Sequence, residues 1–352
     1  KRMNIINKLP KSVANQIAAG EVIHRPSSIV KELIENSIDA KSTVIKVIIK
    51  DAGKQSISVI DNGTGMSKVD SKNCFERHST SKLKKAEDLF HVKTMGFRGE
   101  ALASIAAVSE VTLKTKTENE KIGYQVIFKD GNVTKENDIS FEKGTSITAK
   151  NLFYNIPARR NFLKSNNVEI RHIIDEFIRS ALSHPSIKFI LINEEAEMYN
   201  LDASNLKKRI LATFKKGYEN NLITCDEKYG AISISGYIGK PENSKRTRGE
   251  QFLFVNNRFI KSAYINHAIK NSYDGLIEEK KFPFYLLFIK INTDLVDINI
   301  HPTKTEIKFE DEKLIYNLVK SSVKKSLDKF NVSPSINFDT DINFTKNINF
   351  DI

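Results

Sequence analysis

The chain has 352 residues, 40% of them hydrophobic, with 55 Lys and Arg against 43 Asp and Glu and a formal net charge of +12. That length points to two domains with ordinary cores, and the longest apolar runs fall far short of a membrane span. Two cysteines, Cys74 and Cys225, and seven histidines form neither a disulfide framework nor a zinc spacing, so the expected compartment is a reducing one, and the basic balance fits a polyanionic partner.

Lys1–Pro10 has no charged–apolar–small signal and no initial Met, which reads as a trimmed start. Ser12–Val22 predicts a short helix with Ser12 as N-cap, closed by Gly20 and by His24-Arg25-Pro26. Pro26–Ala40, PSSIVKELIENSIDA, predicts an amphipathic helix with Pro26 in its first turn. Ile29, Val30, Leu33, Ile34 and Ile38 fall on one side; Glu32, Glu35, Asn36 and Asp39 collect on the other. Glu32 and Asn36 are four apart, so they project at neighbouring heights. Taken alone, that face reads either as a solvated acidic surface or as a carboxylate and carboxamide that orient a water and hold a hydrated Mg²⁺.

Thr43–Lys50 and Ser56–Ile60 predict strands, the second running into the turn Asp61-Asn62-Gly63-Thr64-Gly65-Met66. Ser71–His91 is polar and lysine-rich, with the cluster Arg77-His78-Ser79-Thr80-Ser81-Lys82. Thr94–Glu100 carries Gly96 and Gly99 and opens the apolar helix Ala101–Val108; such a loop can cradle an anion through free N–H groups and the helix dipole. It matches neither the P-loop nor the dinucleotide spacing. Val111–Thr115, Gly123–Lys129 and Thr145–Lys150 predict antiparallel strands, and LFYNIPARRNFL (152–163) a basic helical turn opened by Pro157.

Val168–Ser183 predicts an amphipathic helix and Ile187–Ile192 a strand, before a boundary near Leu201–Glu219. Beyond it, Ala231–Ile238, Gln251–Val255, Phe284–Ile291 and Val296–Ile300 predict strands, with a turn at Asn256-Asn257-Arg258 and helices at Lys261–Tyr273 and Asp311–Phe330. Asn331–Ile352 has no period and reads as the start of a linker.

Four blocks thus stand in order: the helix with Glu32 and Asn36, Asp61–Gly65, Gly96–Glu100, and Gly144-Thr145. Their order resembles the ATP-binding fold shared by type II topoisomerases, heat-shock chaperones, sensor histidine kinases and MutL proteins. ANQIAAGEV (14–22), KELIENSIDA (31–40), GFRGEALASI (96–105), LFYNIPARRNFL (152–163) and HPTKTEIKF (301–309) narrow the resemblance to the MutL mismatch-repair family.

That resemblance implies an α+β fold. A Bergerat-type (GHKL) ATPase sandwich of mixed β-sheet and helices would occupy 1–200, a connecting segment 201–220, and a smaller α/β domain of ribosomal-protein-S5 domain-2-like type 221–330, with linker from 331. Residue by residue, it implies that Glu32 is the general base, Asn36 the Mg²⁺ ligand, and Asp61 the acceptor for the adenine amino group. Gly65 lets the base approach and Thr145 joins the adenine-side network. Thr80, Ser81, Gly96, Phe97, Arg98 and Gly99 form the lid over the triphosphate, and Lys304 reaches the γ-phosphate from the second domain. Glu35 and Asp39 receive no role. Cys74 is expected to be a packed thiol, and His78 and His301 structural.

The resemblance also implies ATP with Mg²⁺, slow turnover, and self-association of N-terminal regions on ATP binding. Its implied partners are a MutS-type mismatch sensor, DNA, and a downstream nuclease or helicase, in a bacterial-type cytoplasm or a eukaryotic nucleus. Arg159, Arg160, Arg258 and Lys261 are candidate DNA contacts. In relatives an arginine for DNA follows the VNNR-like turn; alignment through INHAIK puts Ala263 at that position. The competing readings are a topoisomerase or chaperone ATPase and a non-enzymatic DNA-binding scaffold with a vestigial nucleotide site.

Overall fold

The computed structural model describes residues 9–77, 79, 95–96, 99–214, 217–297 and 305–332, without the side chains of 11, 12 and 332. Helices α1 (Lys11–Val22) and α2 (Pro26–Asp39) precede the hairpin of β1 (Val44–Lys50) and β2 (Ser56–Asp61). A single turn α3 (Asp70–Asn73) and helix α4 (Ala101–Val108) lead into β3 (Glu110–Lys116), β4 (Gly123–Lys129), β5 (Asn132–Ile139) and β6 (Gly144–Lys150). Short α5 (Pro157–Phe162) and long α6 (Asn166–Ser183) are followed by β7 (Lys188–Asn193) and β8 (Ala196–Leu201).

These strands form a mixed eight-stranded sheet in the order β5-β4-β3-β6-β2-β1-β7-β8, parallel at β1–β7 and antiparallel elsewhere. Alternate residues such as Ile45, Val47, Ile49, Val111 and Leu113 are fully buried, so one sheet face carries the core. On that face α2 packs against α6 and over β1 and β2, while α1 packs on α4.

Helix α7 (Leu206–Phe214) leads into the second sheet. It consists of β9 (Leu222–Tyr229), β10 (Ile232–Gly239), β11 (Gln251–Val255), β12 (Arg258–Ile260) and β13 (Tyr285–Lys290), in the order β12-β11-β13-β10-β9. Helix α8 (Ala263–Ser272) follows β12. The last elements among the described residues are a two-stranded ribbon, β14 (Val296–Asp297) with β15 (Lys308–Phe309), and helix α9 (Glu312–Val332).

The apolar runs QFLFV and YLLFIK are buried on both faces. Leu253, Val255, Leu287 and Ile289 point into a core with α8 and α9. Phe252, Phe254 and Leu286 point the other way, into a cluster with Leu182 of α6 and Ile210 of α7 that joins the two sheets. Beside that junction, the buried Arg209 guanidinium donates to the carbonyls of Ala181, Pro185, Ile187 and Asp202 at 2.6–3.0 Å. Burial pulls its pKa down to about 10.

Strands β5, β8, β9 and β12 depart from the sequence reading. β5 and β8 are the sheet edges, and their side chains are largely exposed. An edge strand is held by its ladder on one side, so it needs no apolar alternation. β9 is likewise an edge strand, of the second sheet. Asn256 and Asn257 turn with φ of 47° and 66°, and Arg258 begins β12 rather than ending the turn.

Candidate active site

Helix α2 supplies the floor of the site. Arg25 is extended and Pro26 opens the helix. Ile29, Val30, Leu33 and Ile34 are buried against the sheet, which turns the polar arc outward. That arc divides in two. Glu32, Asn36 and Asp39 line a cavity of about 900 Å³, the size expected for a small-molecule site. Glu35 is only 6% exposed and faces a separate crevice under the second domain.

The other predicted residues within the described chain converge on the same cavity: Asp61 and Gly65 from the end of β2, Gly96 and Gly99 before α4, and Thr145 from β6. Apolar Leu33, Val59, Met66 and Ile147 share its wall. That mixture suits a flat heterocycle with a polar edge.

Asp61 is held from two sides. The Ser37 hydroxyl donates to Oδ2 at 2.7 Å and the Gly63 amide to Oδ1 at 2.9 Å. Burial pushes its carboxyl pKa up; the bonds from Ser37, Gly63, Ser42 and Thr145 offset only part of that rise. In register, Asp61 faces Thr145, and Thr145 faces Thr115. The Thr115 hydroxyl lies 3.3 Å from that of Thr145 and accepts from the Met66 amide at 2.8 Å. A hydroxyl network therefore ties the turn after β2 to the middle of the sheet. Asn62 staples the same turn to β1, its Oδ1 accepting from the amides of Thr43 and Val44 at 2.9 Å. Gly65 has φ +68°, and a Cβ there would lie 2.1 Å from the Lys116 carbonyl oxygen, so only glycine fits.

Asp39 was given no role by the sequence, yet it grips the glycine loop. Its Oδ1 accepts from the Met95 amide at 2.9 Å and its Oδ2 from the Gly96 amide at 3.1 Å. A signal was available: an acid in the last turn of a helix opposes the helix dipole, so another interaction must favour it there. Ser37 was missed as well, because a serine in a helix carries no such mark.

The candidate DNA contacts separate. Arg160 and Lys261 are exposed. Arg258 is not on the open surface: it is 6% exposed and shares a crevice with Glu35 of α2. Arg159 is partly buried, its guanidinium packed on Gly20 and 5.9 Å from the Phe153 ring. Arg258 is thus turned away from the open surface where a phosphate contact was expected, and Arg159 is partly covered. Cys74 lines the cavity, and burial pushes its thiol up to about 12, so it is a packed thiol. His78, Thr80, Ser81, Phe97, Arg98, His301 and Lys304 lie outside the described residues, as does the tail from 333.

Residues 24–155 match the family described as "Histidine kinase-, DNA gyrase B-, and HSP90-like ATPase", and residues 210–328 match "DNA mismatch repair protein, C-terminal domain". The DNA mismatch repair protein MutL of Christiangramia forsetii is 54% identical over 338 residues, covering 96% of this chain and 55% of that protein. The MutL protein of Bacteroides fragilis is 48% identical, covering 96% and 54%. The chain thus spans about half the length of the curated relatives it matches. A solved N-terminal domain of a DNA repair protein superposes with TM-score 0.79 at 25% identity, over 91% of this chain and 99% of that one. The Aquifex aeolicus MutL ATPase domain complexed with ADP superposes with TM-score 0.61 at 26% identity, over 85% and 98%. With a GHKL-type ATPase fold followed by a smaller α/β region, the chain belongs to the MutL family of DNA mismatch repair proteins.

Proposed function

We propose that the chain binds ATP in the α2 cavity and hydrolyses it slowly to ADP and phosphate. The observation that carries this reading is the convergence of Glu32, Asn36, Asp61, Gly65, Gly96, Gly99 and Thr145 on one cavity. The similarity to an ATPase domain complexed with ADP supports it.

Asp61, oriented by Ser37 and Gly63, accepts the adenine amino hydrogen; a guanine would present a carbonyl there and be repelled. Gly65 lets the base lie against the backbone. With its Met95 and Gly96 amides held by Asp39, the glycine loop would offer its remaining amides to the phosphates at the start of α4. Glu32 orients the attacking water and takes its proton, and Lys304 meets the γ-phosphate. Phosphoryl transfer to water needs mainly positioning and charge neutralisation, which this set provides.

Among the described residues, no group of three or more His, Cys, Asp or Glu could hold a metal ion by itself. The donors present fit Mg²⁺ carried largely by phosphate oxygens, with the Asn36 carboxamide as protein ligand. When bound, it would neutralise phosphate charge.

ATP binding would draw N-terminal regions of two copies together. It would couple a MutS-type mismatch sensor to a downstream nuclease or helicase on DNA. Exposed Arg160 and Lys261 would add sequence-independent, salt-sensitive phosphate contacts. The deciding experiment is Glu32→Ala. ATP binding should persist while hydrolysis disappears; unchanged hydrolysis would remove the base role from Glu32.

A further inference from the structure

Arg258 stands at the junction of the two domains, and its setting is that of a docking group. It opens β12 and is almost wholly buried. It shares a narrow crevice of about 30 Å³ with Lys31 and Glu35 of α2, Met95 of the glycine loop, Arg179 of α6, and Thr305. A guanidinium loses much hydration on such burial and stays charged, so carboxylates nearby must offset that cost. Glu35 lines the same crevice, and the charges of Glu35, then Asp39 and Glu32, favour the Arg258 cation. Lys31 Nζ lies 4.0 Å from Glu35 on the helix side, so Glu35 stands between two cations.

The connections from this point run to each working part of the site. On the α2 side, Glu35 lies on the helix that carries Glu32 and Asn36 into the cavity. Asp39 of that helix holds the amides of Met95 and Gly96. On the β12 side, the Lys261 amide donates to the Thr305 carbonyl at 2.8 Å. Lys261 directly follows β12, so Arg258 lies three residues from a backbone bond to the segment that Lys304 immediately precedes in sequence. Arg179, stacked 4.2 Å from the Phe259 ring, closes the crevice from α6.

We propose that Arg258 is a positioning residue for hydrolysis: by seating β12 on Glu35, it sets the second domain, the α2 helix and the glycine loop in one register. The proposal rests on the ATPase reading above and gives that site a coupling element remote from the adenine side. Asp61 and Thr145 line the cavity but not the crevice, so ground-state binding of ADP should not depend on Arg258.

The test measures ADP affinity by calorimetry and steady-state ATP hydrolysis in the 352-residue chain. Arg258→Gln should lower kcat at least tenfold while ADP affinity stays within twofold. Glu35→Gln should do the same, and the double variant should lose no more than the worse single one. Arg258→Lys, which keeps the charge without the planar fork, should recover part of kcat; it carries the same two readouts if Arg258→Gln folds poorly. An unchanged kcat, a parallel loss of ADP affinity, or additive losses in the double variant would each overturn the proposal. Failure of Glu32→Ala to stop hydrolysis would instead remove the base assignment, and the Arg258 split between kcat and ADP affinity would be read independently of it.

Discussion

The two oxygens of the Asp39 carboxylate accept hydrogen bonds from the consecutive amides of Met95 and Gly96, at 2.9 and 3.1 Å. The last turn of the site helix thereby clamps the loop that leads to α4. An amide in place of the carboxylate can accept only one of the two bonds and leaves the other N–H facing a donor.

Asp39→Asn is therefore expected to weaken ATP binding roughly tenfold, from a loss of about 1–3 kcal/mol at the loop. Titration of a non-hydrolysable ATP analogue measures it. A wild-type affinity would mean that the Asp39 bonds are not what keeps the loop in its binding geometry.

Asp61→Asn bears on base selection. The carboxylate has only acceptors to offer; the carboxamide offers an acceptor and a donor. ATP affinity should drop by roughly tenfold or more, the scale of a lost charge-assisted bond of about 1.5–3 kcal/mol. GTP should gain relative to ATP, and competition between the two against a fluorescent nucleotide reads the ratio. A preserved ATP preference would take adenine selection away from Asp61.

Gly65 and Gly131 separate backbone strain from a clash. Both have positive φ, +68° and +76°, but a Cβ at 65 meets the Lys116 carbonyl oxygen at 2.1 Å while one at 131 meets nothing within 4 Å. Gly131→Ala should cost only the left-handed penalty of about 1–2 kcal/mol. Gly65→Ala should cost clearly more and abolish nucleotide binding. Urea melts of the two variants decide the order; equal midpoints would refute the close approach.

His184 gives a pH dependence of known sign. Burial holds its pKa below the ordinary 6.5, with the Ser183 hydroxyl 2.8 Å from Nδ1. The unfolded chain takes up the proton first, so its contribution is fully present above 6.5 and is lost as pH falls below that value toward the folded pKa. The urea midpoint should fall between pH 7 and pH 5, and His184→Gln should flatten part of that slope. An unchanged slope would assign the acid sensitivity to other groups.

Much of the site was legible before any coordinates. Helical period and a four-residue spacing are local geometry, so the sequence put Glu32 and Asn36 on one face of α2; their roles came from the family resemblance, and Glu35 of the same polar arc is buried elsewhere. Asp61 and Gly65 were legible from the residues only as a turn closing a strand; their place at a nucleotide came from the family resemblance. The polar strand β5 was not legible, since edge pairing leaves no apolar period, and β12 is only three residues long.

By itself the sequence determined the family, through its motifs, and the helices and apolar strands, because their periods depend on neighbours within a few positions along the chain. Only the tertiary structure decided what the remaining charges do. Asp39 bonds to residues 95 and 96, Ser37 to residue 61, and Arg258 is buried in a crevice with Glu35, more than two hundred positions earlier. Whether a charge is solvated or buried is set by the surface that folding lays over it, and no local pattern records that surface.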